Sequence, residues 1–263
     1  MHLRNYSVGG TVGKGVLRPK EDDKLLKYKE QSKYRSGVGL LLWLTKTRPD
    51  ICNAVRELTK VNGKATKESM NKMKRIMKFI IDTKDIGLKF EPKLDESING
   101  IIWDLLAYSD SDWAGDKDNR KSISGWIIYL LNCPISFKSR QQGTVSLSSA
   151  EAEWIALSET IKELLFIIQV LEDIGVKIAK PVKVKVDNQA AIFMVNNTTA
   201  TKRTEHVDVR ENFVYEHVNE ESGEIEVVFV KSEDNKSDIF TKNVAKELMD
   251  KHTDFLGEEK DLD

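Results

Sequence analysis

The sequence predicts an α/β protein, a mixed five-stranded sheet flanked by helices and preceded by a small mainly helical domain. Two patterns carry this expectation. From residue 105 onward, strand-like runs and helical runs follow one another in the order βββαβαβα, with an extra helix at 206–220, the pattern of a mixed sheet covered by helices. Before residue 85 the apolar residues recur at helical spacing instead. A turn-rich stretch at 85–104, DIGLKFEPKLDESINGIIWD, separates the two textures and holds the boundary. The resulting division is a polar lead-in over 1–33, a helical segment over 34–92, an α/β domain over 93–253 and an acidic tail over 254–263.

Taken in order, residues 1–32 are polar and rich in Lys and Gly, with no sustained period, so no core is expected there. From Tyr34 the pattern is helical. Val38, Leu41, Leu42 and Leu44 form an apolar stretch, TRPD punctuates it, and Ile51, Val55 and Leu58 recur at helical spacing until NGK. The third helix, ATKESMNKMKRIMKFIID, carries a stripe of Met70, Met73, Met77, Ile80 and Ile81. Lys72, Lys74, Arg75 and Lys78 crowd its other surface. That basic back is either a solvated face or a grip on nucleic-acid phosphates.

The α/β half opens with three short strands, Leu105–Asp112, Gly125–Leu131 and Ile135–Ser139, whose tight connections suit an antiparallel meander. A long helix follows, capped by Ser148 or Ser149 and ended by Gly175. Its stripe is Trp154, Leu157, Ile161, Leu164, Leu165, Ile168 and Leu171. An alternating strand over Val182–Asp187 runs into a helix, GEIEVVFVKS is a further strand, and NKSDIFTKNVAKELM reads as one final helix.

Composition excludes several classes. With 263 residues, 40% hydrophobic and 32% charged, the chain has an ordinary globular balance rather than a disordered one. No apolar run approaches the roughly 20 residues of a membrane span. Met1–Gly10 lacks the apolar core of a signal peptide, so a soluble intracellular chain is expected. Cys52 and Cys133 lie in apolar surroundings, which suits reduced buried thiols rather than a disulfide or zinc framework. The net charge of −1 conceals an asymmetry: residues 1–91 hold 21 Lys and Arg against 10 Asp and Glu, leaving 20 against 32 for the rest. A basic half beside an acidic half suits a phosphate-gripping module joined to one that repels polyanions or holds cations; two solvated surfaces are the plainer alternative.

Acids fall at element ends in the acidic half. Asp110 closes the first strand, Asp187 closes the fourth, Glu153 lies in the opening turns of the long helix, and Asp238 starts the last helix. Reactive crevices of open α/β sheets lie outside the carboxyl ends of strands, so these four are able to converge. Carboxylates packed together must protonate or bind cations, and hard divalent ions with oxygen ligands are the usual resolution. Two Mg²⁺ ions about 4 Å apart would activate a water and stabilise a leaving oxygen, which is nuclease chemistry. Taken singly, each acid also suits a capping role.

The motifs around these acids add to the reading. YSDSDWAGD, RKSISGW, SLSSAEAEWIAL, VDNQAAI, RTEHVDVR and SDIFTK, in this order and spacing, resemble the RNase H domain of copia-type LTR retrotransposons. Upstream, KYRSGVGLLLWLTKTRPDICNAVRELTK and MKRIMKFIIDTKDIGLKF resemble the segment joining reverse transcriptase to that domain, so the resemblance covers roughly residues 34–245. It implies an RNase H-like fold and two-metal hydrolysis of the RNA strand of RNA–DNA hybrids, with Mg²⁺ as the ion and Mn²⁺ as a substitute. Asp110, Glu153 in Glu153-Trp154-Ile155-Ala156, Asp187 and Asp238 match the family's four acids. Ser148, Ser149, Asn188 and Gln189 flank them with uncharged hydrogen-bond groups, placed to meet sugars and phosphates; the two serines are equally suited to capping.

The implied partners are the RNA–DNA hybrid and the remainder of the reverse transcriptase and Pol polyprotein, with no membrane and no small-molecule cofactor. The implied location is cytoplasmic, in a virus-like particle, with the nucleus as a further compartment. The alternative from another class is a non-catalytic RNase H-like module that binds nucleic acid or tethers the polymerase. Two features depart from the wider pattern. VFVKSEDNKSD lacks the histidine that cellular enzymes carry before the fourth acid, while His206 sits on another element. Nothing before Tyr34 resembles a polymerase aspartate pair, so no polymerase activity is expected, and the chain resembles a fragment of a larger Pol protein or a truncated reading frame. Two acidic motifs offer a choice, Asp110 or Asp112 and Glu151 or Glu153. Strand position favours Asp110, with Asp112 expected in the turn, and rotation about the helix favours Glu153.

Overall fold

The protein is described by a computed structural model over residues 18–92, 102–196, 213–218 and 223–258. The expected boundary at 93, His206 and all but 213–218 of the expected extra helix lie outside the described residues; 213–218 is helical. The chain forms two compact units, one of residues 1–89, 117–119 and 242–263, the other of 90–116 and 120–241. Among the described residues no helix is long and apolar enough to cross a membrane.

The first unit is built on α1 (Tyr28–Leu44), a 3-10 turn at Pro49–Ile51, α2 (Cys52–Thr59) and α3 (Lys67–Asp82). Tyr34, Val38 and Leu41 of α1, Val55 and Leu58 of α2, and Met73, Ile76 and Phe79 of α3 close one core. Two details differ from the sequence reading. α1 begins six residues before Tyr34, and its approach is held by the Leu26 N–H on the Ala65 carbonyl at 2.9 Å and by a bridge between Leu25 and Thr66. Ile81, expected in the stripe of α3, is 68% exposed, while Ile76 and Phe79 are core. At 100° per residue Ile81 lies about 140° around the helix from Ile76. Thr66 and Ser69 cap α3 reciprocally.

The second unit is centred on a mixed sheet of β3 (Leu105–Asp112), β4 (Ile123–Leu130), β5 (Cys133–Gln141), β7 (Val182–Val186) and β8 (Ile225–Phe229). Their order is β5-β4-β3-β7-β8, with β3, β4 and β5 antiparallel and β3, β7 and β8 parallel. This is the predicted α/β architecture. Leu131 and Asn132, both at positive φ, make the tight β4–β5 turn. Strands β2 (Ile102–Trp103) and β6 (Lys177–Ile178) pair beside the sheet. The long helix α4 (Ser149–Asp173) lays Trp154, Leu157, Ile161, Leu164 and Ile168 on Leu105, Ala107, Ile128, Val182, Val184 and Ile225. Each such side chain contributes about 1.5–3 kcal/mol of burial. Helix α5 (Gln189–Asn196) follows β7.

Two further expectations are corrected. Asp112 is the last residue of β3, paired with Ile123, rather than a turn residue. The single helix expected over 235–249 is two, α6 (Asp238–Thr241) and α7 (Lys246–His252). The break falls where the chain passes from the second unit to the first. There β9 (Leu256–Glu258) pairs antiparallel with β1 (Ile86–Leu88), and Asn53 Nδ2 donates to Asn243 Oδ1 at 3.0 Å. Residues 242–253, assigned from sequence to the α/β domain, therefore belong with the helical unit. Cys52 and Cys133 are buried free thiols.

Candidate active site

Strand pairing places the first two acids. β3 and β7 run parallel with Tyr108 opposite Lys185. Two residues further along each chain come Asp110 and Asp187, at the carboxyl end of both strands and on the same face. Asp238 arrives from a turn pinned to the sheet. The fully buried Asn235 donates from Nδ2 to the Ser109 carbonyl at 3.0 Å, and its Oδ1 accepts from the Ser237 N–H at 3.2 Å. The Asp238 N–H then donates to the Asn235 carbonyl at 3.1 Å. The Thr241 hydroxyl donates to Asp110 Oδ2, and Ser232 Oγ to Asp187 Oδ2 at 2.6 Å. One carboxylate oxygen from each of Asp110, Asp187 and Asp238 lies within 4.8 Å of the others.

Gly125 makes the approach of α6 feasible. It pairs with Asp110 across the β3–β4 ladder, and a Cβ on it would lie 2.7 Å from Thr241 Cγ2 and 2.8 Å from Phe240 Cβ. A mid-strand glycine marks such a close approach.

Glu153 completes the group. Ser148 caps α4, its hydroxyl accepting the Glu151 N–H at 3.1 Å, while Glu151 accepts the Leu147 N–H at 2.7 Å. Glu151 is thus spent on the cap. Two residues on, Glu153 is 7% exposed, and its Oε1 accepts the Ser111 N–H at 3.2 Å. Burial pushes its carboxyl up to about 9; the Asp110 and Asp187 charges add to that rise and the Ser111 hydrogen bond opposes it. Its Oε2 is buried with no hydrogen-bond partner among the described residues. An orphaned carboxyl oxygen beside three gathered carboxylates fits a hard divalent cation, whose charge relieves both costs.

The remaining expected site residues divide. Asn188 Oδ1 accepts the N–H groups of Ala190 and Ala191 at 2.9 and 3.2 Å and so caps α5, as Ser148 caps α4. Ser149 and Gln189 are exposed. In the other unit, Lys74 and Arg75 are exposed on α3. Lys72 pairs with Glu68 at 3.0 Å and Lys78 with Asp82 at 2.9 Å. Ser232, Asn235, Thr241 and Gly125 are site-forming residues that the motif reading passed over. The polar run KSEDNKSD holds Ser232 and Asn235, SDIFTK holds Thr241, and Gly125 stands out as a glycine inside an apolar strand.

A five-stranded mixed sheet in this order, carrying acids at the carboxyl ends of β3 and β7, defines an RNase H-like fold. No protein-family model matches the chain. It is 32% identical over 231 residues to the retrovirus-related Pol polyprotein from transposon RE1 of Arabidopsis thaliana, over 88% of this chain and 15% of the polyprotein. It is 34% identical over 225 residues to that from transposon TNT 1-94 of Nicotiana tabacum, over 85% of this chain and 16% of the polyprotein. The chain is a relative of the Pol polyproteins of copia-type transposons and spans about 15% of the length of these relatives. It is also 35% identical over 135 residues to secreted RxLR effector protein 161 of Plasmopara viticola, covering 90% of that protein. Among solved structures, LC11-RNase H1 isolated from compost overlaps 57% of this chain and 98% of its own, at 16% identity and a TM-score of 0.39. That enzyme is also solved in complex with an RNA/DNA hybrid.

Proposed function

We propose that the α/β unit is a ribonuclease H that hydrolyses the RNA strand of RNA–DNA hybrids within a retrotransposon reverse transcriptase. The observation that carries this is the convergence of Asp110, Asp187 and Asp238 on one point, with Glu153 driven towards its neutral form beside them. These four residues would hold two Mg²⁺ ions, with Mn²⁺ as a substitute; bound there, such ions activate a water and stabilise the leaving oxygen of an in-line displacement. The chain's own contribution is orientation. Thr241 fixes one oxygen of Asp110, Ser232 fixes one of Asp187, and the Ser111 N–H holds Glu153, so each carboxylate is set in orientation before an ion arrives. Ser149 and Gln189 offer uncharged groups to the 2′-hydroxyls and phosphates by which a hybrid is told from other duplexes.

Incubating the protein with labelled hybrid, double-stranded RNA and double-stranded DNA, each with Mg²⁺, Mn²⁺ or EDTA, tests the assignment. Cleavage of the hybrid alone, dependent on the metal, is expected. Hybrid left intact under every metal condition sinks it, and binding measured in the same samples then identifies a non-catalytic module.

A further inference from the structure

The four acids do not stand on equally firm elements. Asp110 and Asp187 belong to β3 and β7, each of which has a strand paired on both sides. Glu153 belongs to the 25-residue α4, which lies along the core. Asp238 opens α6, a helix of only four residues, and a single turn is too short to hold itself by its own backbone bonds. Ile239 and Phe240 are buried and seat α6, but apolar burial is non-directional and does not aim a carboxylate. Ahead of α6, the 3-10 turn Ser232–Asp234 has no buried residue. The aim of Asp238 must come from hydrogen bonds.

Asn235 supplies them. It is fully buried, and both ends of its amide are engaged. Nδ2 donates to the Ser109 carbonyl at 3.0 Å, while Oδ1 accepts from the Ser237 N–H at 3.2 Å and from the Ser237 hydroxyl at 2.5 Å. The Asn235 carbonyl accepts the Asp238 N–H at 3.1 Å. The strand carbonyl that Asn235 takes lies one residue past Tyr108, where β3 and β7 cease to pair, and one residue before Asp110. Ser109 also ties down α4: the Thr160 hydroxyl is bonded to Ser109 Oγ at 3.0 Å, and both residues are fully buried. Thr160 is seven residues from Glu153, about two turns, and so lies on the same side of α4. Asp110, Glu153 and Asp238 are thus all tied back to one point of β3. For Asp238 the tie is the Asn235 amide. Groups that orient metal-binding side chains in this way are typically worth about 10- to 100-fold in affinity for the ion.

We propose that Asn235 is the positioning residue that brings Asp238 into the acidic group, and that it thereby sets the affinity of the site for its divalent ion. This rests on the ribonuclease H assignment for the kind of ion, but its first readout is ion binding without substrate. Mn²⁺ binding to the full chain is measured by electron paramagnetic resonance for wild type, Asn235→Ala, Asp238→Asn and the double variant, with melting curves to show that each is folded. Asn235→Ala should weaken Mn²⁺ binding about 10- to 100-fold. In the Asp238→Asn background the same substitution should cost almost nothing, since a residue that acts through Asp238 then has no carboxylate to position. A residue that merely supports the fold would weaken binding equally in both backgrounds, and that result overturns the proposal. Turnover gives a second readout: the Mg²⁺ concentration for half-maximal hybrid cleavage should rise by the same factor, with KM for hybrid unchanged and most of kcat recovered at saturating Mg²⁺. Should Asn235→Ala fail to fold, Asn235→Ser, whose shorter hydroxyl keeps a polar group beside Ser237 but does not span to the Ser109 carbonyl, decides in its place. Unfolding of both makes Asn235 a residue of the core and overturns the proposal as well. A folded Asn235→Ala chain that binds Mn²⁺ like wild type overturns it and leaves the nuclease assignment standing. A wild-type chain that binds no Mn²⁺ overturns both. The expected Mn²⁺ losses in a chain that never cleaves hybrid would retain the role of Asn235 and reject the nuclease.

Discussion

At the scale of single residues, Glu153 is where burial and charge repulsion meet. Its carboxyl is held up at about 9 against an ordinary 4.5, so between those values the native chain keeps a proton that the unfolded chain has released. The native state then binds more protons than the unfolded state, and stability falls as pH rises through that window. In EDTA the wild-type protein should therefore melt at progressively lower temperature from pH 5 to pH 9. Glu153→Gln should flatten that decline and nearly abolish hybrid cleavage, while Glu151→Gln, which disturbs a cap, should keep the pH slope and most of the activity. Melting curves and single-turnover rates for both variants decide the point, and a dead Glu151 variant beside an active Glu153 variant overturns the assignment. The gathering of Asp110, Asp187 and Asp238 is anticipated by their places at element ends together with the motifs around them. The roles of Thr241 and Ser232 are not, because a hydroxyl in a turn reads the same whether it caps locally or reaches a carboxylate 131 or 45 residues away.

At the scale of elements, legibility followed periodicity and punctuation. The broad stripe of α4 and the alternation of β7 announced themselves because both bury one face on the same core. The start of α1 did not, since its N-cap is Lys27 with no side-chain cap bond, and nothing in the local sequence marks it. The division of the last helix into α6 and α7 was hidden for a related reason. No Gly or Pro interrupts 235–249, so apolar spacing carried straight across the break. Gly125 was a sign of a different kind, a glycine within an apolar strand, and its meaning is the seating of α6 on β4. In Gly125→Ala the new methyl would meet Thr241, Phe240 and, at 3.2 Å, the Ser237 carbonyl. Such overpacking costs about 1–3 kcal/mol, and relief requires α6 to move, taking Asp238 and Thr241 with it. The variant should stay folded, melt a few degrees lower and lose most hybrid cleavage. Wild-type melting and rate together would show that α6 does not depend on the missing side chain.

At the scale of the whole molecule, order along the chain and membership of a unit part company. The helical unit is discontinuous: residues 242–263 return to it after the α/β unit is complete at Thr241. β1 and β9 are three-residue strands far apart in sequence, too short to carry a period, so only the tertiary structure reveals their pairing. Val244, Met249 and Phe255 are buried there, and the Phe255 carbonyl accepts the Lys89 N–H at 2.8 Å. At about 1.5–3 kcal/mol for each buried side chain, this segment carries a large share of what holds a small helical unit together, since whole domains have about 5–15 kcal/mol. Ending the chain after Thr241 should therefore keep the bonds of Thr241 to Asp110, Ser232 to Asp187 and Ser111 to Glu153, yet loosen the region from Tyr28 to Leu88. Limited proteolysis read by mass spectrometry should show early cuts across 28–88 in the shortened chain, with 102–196 as well protected as in the full one. Early cuts within 102–196 would mean instead that the C-terminal segment supports the sheet, and that the division into units misplaces it.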